Sequence, residues 1–406
     1  MPRSDIAIIG AGPAGLIAAE RLSAAGHAVT LHERMASPAR KFLLAGRGGL
    51  NLTHSEPLDA FLGRYRAARP WLEPAMRAFP PQALRDWADL LGAETFVGSS
   101  GRVFPKAMKA SPLLRAWLRR LDAQGVRLAT GRRWAGWTAE GALVFETASG
   151  REEARPDATL LALGGASWPR LGSDGGWVPL LAARGVEVSP LAPANAGFRV
   201  GWSAIMRERF AGHPLKRIVM RFGGEAVAGE AMIDAEGIEG GAVYALSAPL
   251  REAIRREGRA LIEIDLRPDL AAGALSERLA KRRKGETLSN HLRKAAGLAP
   301  VAVALPREAA GGALPEEPAP LAALIKAVPL TLTGMAPLER AISTAGGVAA
   351  GEIDADFMLK RLPGVFVAGE MLDWEAPTGG YLLQGCLATG VAAAAGLERW
   401  LARRER

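Results

Sequence analysis

At 406 residues, 49% hydrophobic and 23% charged, the chain has the balance of a globular protein too long for one ordinary core, so two or three packed units are expected. A single cysteine, Cys386, excludes an internal disulfide, a Cys-rich metal site and a CxxC redox pair. The net charge of +9 is unevenly spread: nine Lys or Arg face one acid, Asp122, between Arg102 and Arg133, and a second cluster runs Lys281-Arg282-Arg283-Lys284 with Arg293 and Lys294. Such clusters suit a solvated face, a nucleotide-phosphate surface or RNA. No apolar run reaches the ~18 residues that span a bilayer. A strand begins within five residues of Met1, which leaves no room for a signal peptide. The expectation is a cytoplasmic protein with no membrane partner.

Residues 5–33 form the first unit. Ile6-Ala7-Ile8-Ile9 is short, apolar and β-branched, as a buried parallel strand should be. Gly10, Gly12 and Gly15 then give GxGxxG at a strand-to-helix turn. The first allows the tight turn, the second lets backbone approach a pyrophosphate, and the third lets helix and strand pack closely. Ala19 and Leu22 face inward, Gly26 ends the helix, and Val29 and Leu31 lie in a second strand. Glu33, 18 residues after Gly15, is placed to accept a bond from a ribose hydroxyl, which favours FAD or NAD over NADP. The dinucleotide-binding set expected here is Gly10, Gly12, Pro13, Ala14, Gly15, Glu33 and Arg34.

Later segments select FAD. The basic, glycine-rich loop from Arg40 to Thr53 suits contact with a phosphate and a flavin edge, and it contributes Arg40, Lys41, Gly46, Gly48, Gly49 and Asn51. Trp134 is added as a further cofactor contact. The buried run Thr159–Leu163 ends in Gly164-Gly165, and Gly364–Ala368 ends in Gly369-Glu370, whose acid suits a ribityl hydroxyl. Thr378, Gly379, Gly380 and Tyr381 then open a helix of small residues that includes Gln384. Between these segments, strand-like runs at Lys216–Phe222, Glu225–Val227, Ala242–Ala245 and Ala260–Asp265 suit a small antiparallel barrel. Ser276–Leu298 and Leu321–Val328 read as helical, and Pro337–Gly347 returns the chain to the cofactor. No second GxGxxG follows, so NADH or NADPH, if used, serves as a transient electron donor rather than a resident one.

With these pieces in order, the chain resembles the bacterial flavoproteins described as NAD(P)/FAD-dependent oxidoreductases or aminoacetone-oxidase-like, within the glutathione-reductase-type flavin superfamily. The motifs that carry the resemblance are GAGPAGLIAAE, ARKFLLAGRGGLNLTHSE, GRVFPKAMKAS, LLALGGASWPRLGSDG, GEAMIDAEGIEGGAVYALS and GVFVAGEMLDWEAPTGGYLLQGCLATG. It implies an α/β fold: a discontinuous Rossmann-like FAD-binding domain with a β-barrel-like insert and a small helical insert. The expected boundaries are 1–190 and 337–406 for the FAD-binding domain, 191–275 for the barrel and 276–336 for the helices. Many relatives carry a cysteine in the early loop where this chain has Leu50, so no thiol chemistry carries over. Cys386 reads as a packed small residue.

The cofactor carries the redox chemistry and the protein orients it. Tyr381 is the first proton-donor candidate and His54 the second, while Asn51 and Gln384 read as flavin-orienting groups. No cluster has metal-ligand spacing. The leading function is an FAD-dependent oxidoreductase that reduces a small unsaturated molecule by hydride transfer. One alternative is a flavin-dependent reductase of uridine in RNA, favoured by the basic clusters and opposed by the missing cysteine. A second is a non-catalytic flavin-binding redox sensor.

Overall fold

The computed structural model describes residues 3–46 and 48–404. Arg47, within the basic loop, lies outside them. The chain divides into two compact units, Met1–Ala192 with Ser343–Arg406, and Pro193–Ile342.

The first unit is built on β1 (Asp5–Ile9), which pairs in parallel with strand Ala158–Leu161 on one side and β2 (Ala28–Glu33) on the other. Val365–Val367 and Arg127–Thr130 complete the five strands at the two edges. The order follows from composition, because central strands buried on both faces need continuous apolar runs. Ile6, Ile8 and Leu160 are fully buried there. The helix α1 (Pro13–Ala24) starts on a proline, whose missing N–H costs nothing at a helix start. Its small residues admit a close neighbour: a Cβ at Gly390, in the closing helix Tyr381–Arg404, would lie 2.5 Å from Ala14 O. Two three-stranded antiparallel sheets flank this core, one of Thr53–His54, Arg102–Pro105 and Thr95–Val97, the other of Arg133–Trp137, Leu143–Thr147 and Gly150–Ala154.

The second unit is a closed six-stranded barrel whose strands run Phe198–Val200, Gly237–Glu239, Glu225–Asp234, Pro214–Phe222, Ala260–Asp265 and Val328–Met335 around the ring. Two expectations are corrected here. Gly241–Ala245 is helical, not a strand, because Gly240 turns the chain at φ 108° and the short apolar run buries Ala242 and Val243. A run that short carries no period of its own. The stretch expected as a separate helical insert ends in the sixth barrel strand, where Val328, Leu330 and Leu332 alternate inward. Its helices, including Leu288–Ala295 and Pro318–Lys326, share one core with the barrel. Among the described residues, no helix is long and apolar enough to cross a membrane.

Candidate cofactor-binding site

In the first unit, a partly open cleft with a free volume of about 180 Å³ lies at the carboxyl ends of the central strands, the usual place for a ligand in an open parallel sheet. Its floor is the β1–α1 turn, with Gly10, Gly12, Pro13 and Ala14 on the lining. Gly10 holds φ +104°, and a Cβ there would sit 2.3 Å from Ala162 O. A side chain on Gly15 would lie 2.0 Å from Gly10 O, so Gly15 is the packing glycine beneath the cleft. A Cβ on Gly12 meets nothing within 4 Å and points into open space. The free N–H groups at this end of α1 favour an anion, and no acid in the first turn neutralises them.

Glu33 lies on the lining at the end of β2, accepting from Met35 N (2.8 Å) and Ala11 N (3.1 Å). Burial pushes its carboxyl above the ordinary range against those two donors. The adjacent Arg34 pairs with Asp174 at 2.6 Å. Arg40 and Lys41 open α2 (Arg40–Ala45), a helix where a loop was expected, and both line the cleft. Lys41 Nζ donates to Glu370 (2.7 Å) and to Ser167 Oγ (2.6 Å), while Glu370 also accepts from Thr344 N at 3.1 Å. Gly164, Gly369, Glu370 and Trp134 complete the expected residues on the lining. Gly165 lies behind them, its N–H 3.4 Å from Glu370. Cys386 also reaches the cleft, its thiol pushed up to about 12 by burial and by the Glu370 charge.

Sequence reasoning missed several lining groups. His32 stacks on Phe145 with ring centroids 4.2 Å apart, and its pKa is lowered to about 4 by burial and by Arg132 and Arg127. Arg132 and Ser173 line the same cleft. Buried polar atoms normally find partners. Among the described residues, five buried side-chain polar atoms without one lie on this lining: His32 Nδ1, Arg40 Nε, Arg132 Nε, Trp134 Nε1 and Ser173 Oγ. Arg and Trp nitrogens only donate. A ligand rich in acceptors, as a diphosphate-linked nucleotide is, fits that set.

The other expected residues gather in a second cluster. A Cβ on Gly380 would lie 2.5 Å from Thr53 Cα, so the 378–381 turn and the early loop run backbone to backbone. Gln384 staples them: its Oε1 accepts from Thr53 Oγ1 at 2.8 Å and its Nε2 donates to Phe79 O at 2.6 Å. Gly46 packs on Ala110 and Gly49 on Met108, while Gly48 faces open space. Asn51 is half-buried, and its Oδ1 has no partner among the described residues. Thr378 and Gly379 lead into Tyr381, whose hydroxyl donates to Glu56 at 2.6 Å. Burial and that carboxylate push the phenol well above its ordinary range. Burial works against ionisation of Glu56, but bonds from Arg64 and Tyr381 win and hold its carboxyl low. His54 stacks on Tyr381 at 5.5 Å and accepts from Glu56 N through Nδ1, which leaves Nε2–H for Ser100 O.

Known proteins bear on this geometry. The profile described as HI0933-like protein Rossmann domain matches residues 4–396. A curated relative, the 3-dehydro-bile acid delta(4,6)-reductase of Clostridium scindens, is 27% identical over 421 aligned positions, covering 96% of this chain and 97% of its own. Among solved structures, the 3-ketosteroid delta1-dehydrogenase of Sterolibacterium denitrificans superposes with a TM-score of 0.51 at 13% identity, over 98% of this chain and 100% of that one. That likeness is one of fold.

Proposed function

The chain belongs to the HI0933-like protein Rossmann domain family, a family of flavoprotein oxidoreductases, and from that premise we propose that it is an FAD-dependent reductase of a small unsaturated molecule. The observation that carries the reading is the cleft itself. A glycine turn at a helix start, the acid Glu33 at the end of β2 and a return segment from the far end of the chain all contribute to one lining. FAD, when bound, takes up a hydride and passes it on. The chain's own groups then have distinct tasks. The β1–α1 turn holds the diphosphate on free N–H groups, and Glu33 accepts from the ribose. Glu370, paired with Lys41, offers its remaining lone pairs toward the ribityl chain. The second cluster supplies the ring end of the site, where Asn51 turns its unpartnered oxygen to the cofactor.

Tyr381 keeps its proton through the neutral range and spends its hydrogen bond on Glu56. We therefore assign it, with His54 stacked on its ring, to holding the 378–381 turn. Acceptor choice follows the named activity of the C. scindens relative, reduction of a steroid double bond. The donor in this reading is NADH or NADPH docking transiently.

The test is direct. Purified protein should show flavin absorbance, bleach on anaerobic mixing with one nicotinamide, and recover colour with an α,β-unsaturated ketosteroid. Bleaching with no recovery on any unsaturated acceptor would remove the substrate assignment. A colourless protein that takes up no FAD would remove the cofactor.

A further inference from the structure

Residues Trp168–Asp174 stand apart from the rest of the cleft wall. The segment just before them is pinned: Thr344 Oγ1 accepts from Ala166 N (2.8 Å) and Ser167 N (3.2 Å). The segment just after them is pinned too, by Gly175 N to Gly165 O (3.2 Å) and Trp177 Nε1 to Gly164 O (2.9 Å). Between those anchors, the polar contacts from Trp168–Asp174 to other parts of the described chain come from one side chain, Arg34. It donates to Asp174 Oδ2 at 2.6 Å and to Pro169 O at 3.5 Å. The remaining bonds of the segment are local: Leu171 N to Trp168 O, Gly172 N to Pro169 O, and Gly176 N to Asp174 Oδ1 at 3.1 Å. Trp168 starts it in the left-handed region, at φ 61°, a conformation that costs a bulky residue free energy.

Topology says what this segment spans. Its anchors follow strand Ala158–Leu161, and Arg34 follows β2; β1 lies between those two strands. A segment tied at both places crosses the carboxyl end of β1, where the glycine turn begins. Leu171, Gly172, Ser173 and Asp174 accordingly line the cleft. Ser173 is only 7% exposed, and its hydroxyl has no partner among the described residues.

We propose that Trp168–Asp174 is a strap closed over the dinucleotide, latched by the Arg34–Asp174 ion pair, and that the latch sets how long FAD stays bound while Ser173 gives it one hydrogen bond. This rests on the FAD reading above. It gives Arg34 a role other than direct contact with the dinucleotide: the guanidinium holds the strap, and the strap holds the cofactor.

The experiment measures release of FAD from the loaded protein by the rise of free-flavin fluorescence after dilution. Arg34→Met and Asp174→Asn should each speed release by about two- to five-fold, the range of a part-exposed ion pair. The swapped pair Arg34→Asp with Asp174→Arg should return the rate to within about two-fold of the parent, and added salt should speed the parent but neither single variant. Ser173→Ala should weaken FAD binding by about two- to ten-fold, the loss of one neutral hydrogen bond. Both latch variants releasing at the parent rate would overturn the strap while leaving the cofactor assignment intact. Faster release from Arg34→Met alone, with Asp174→Asn unchanged, would also overturn it by making Arg34 a direct ligand. A parent protein that binds no FAD overturns both readings at once.

Discussion

Lys41 Nζ lies 2.7 Å from Glu370 Oε2, joining residues 329 positions apart in a single ion pair on the cleft wall. The carboxylate is the more buried partner, with 12% of its side chain exposed against 28% for the lysine. Removing the cation leaves Glu370 with backbone donors alone, the costlier way to break such a pair. Lys41→Met should therefore destabilise by about 1–3 kcal/mol, seen as a melting point lower by several degrees. Adding Glu370→Gln should recover part of that loss. A double variant as unstable as the sum of the singles would show the two groups to be uncoupled.

Gly12 and Gly15 should fail differently. A side chain at 15 drives into Gly10 O, whereas one at 12 meets no protein atom. Gly15→Val should lose folded protein or melt far lower. Gly12→Val should fold with near-parent circular dichroism and emerge colourless, because its branches occupy the anion's place. Yellow Gly12→Val protein at full stoichiometry would refute the placement of the diphosphate.

Glu33→Gln should weaken FAD affinity by roughly 1–3 kcal/mol, the cost of a lost charge-assisted hydrogen bond, or about 5- to 150-fold in Kd. Titration of the apoprotein with FAD reads this directly. An unchanged Kd means the ribose is elsewhere.

His32 links stability to pH. Its folded pKa of about 4 lies below the unfolded value of 6.5, so the unfolded chain binds a proton that the folded chain refuses. The contribution is complete above pH 6.5 and drains away as pH falls toward about 4, with a slope approaching 1.4 kcal/mol per unit. Denaturant melts of the parent and of His32→Gln across that window should differ in slope. Parallel curves would show that the imidazole titrates freely.

Tyr381→Phe removes the 2.6 Å bond to Glu56. Loss of about 1.5–3 kcal/mol of stability is expected, with acceptor-driven re-oxidation slowed by less than about ten-fold. A fall of the 10²–10⁴-fold size that general-acid catalysis supplies would make Tyr381 the proton donor instead.

What the chain showed in advance was local. Gly10, Gly12, Gly15 and Glu33 sit within one strand–helix–strand unit, so their spacing alone places them around a single turn. The paired glycines and Gly-acid steps that end two later strands were readable for the same reason. The Lys41–Glu370 pair was not, since nothing local links a residue in α2 to one so far along the chain. His32 was hidden as well: its role depends on Phe145, which a separate antiparallel sheet brings to β2, and on Arg132 just before that sheet. In the second unit, the strand at Val328–Met335 was masked by the helices before it, although Leu330, Thr331 and Leu332 alternate about the barrel wall.

The edge strand Val365–Val367 is made about 200 residues after its partner Ala158–Leu161. At synthesis rates of roughly 5–20 residues per second, the growing polypeptide waits on the order of 10–40 seconds with that partner's flank uncovered. Gly369 and Glu370 emerge later still, so the coenzyme meets a finished seat only after they are made. Shortage of riboflavin during growth should thus leave its mark on the newest molecules, as a pool of barrel-complete but sheet-open chains exposed to proteases.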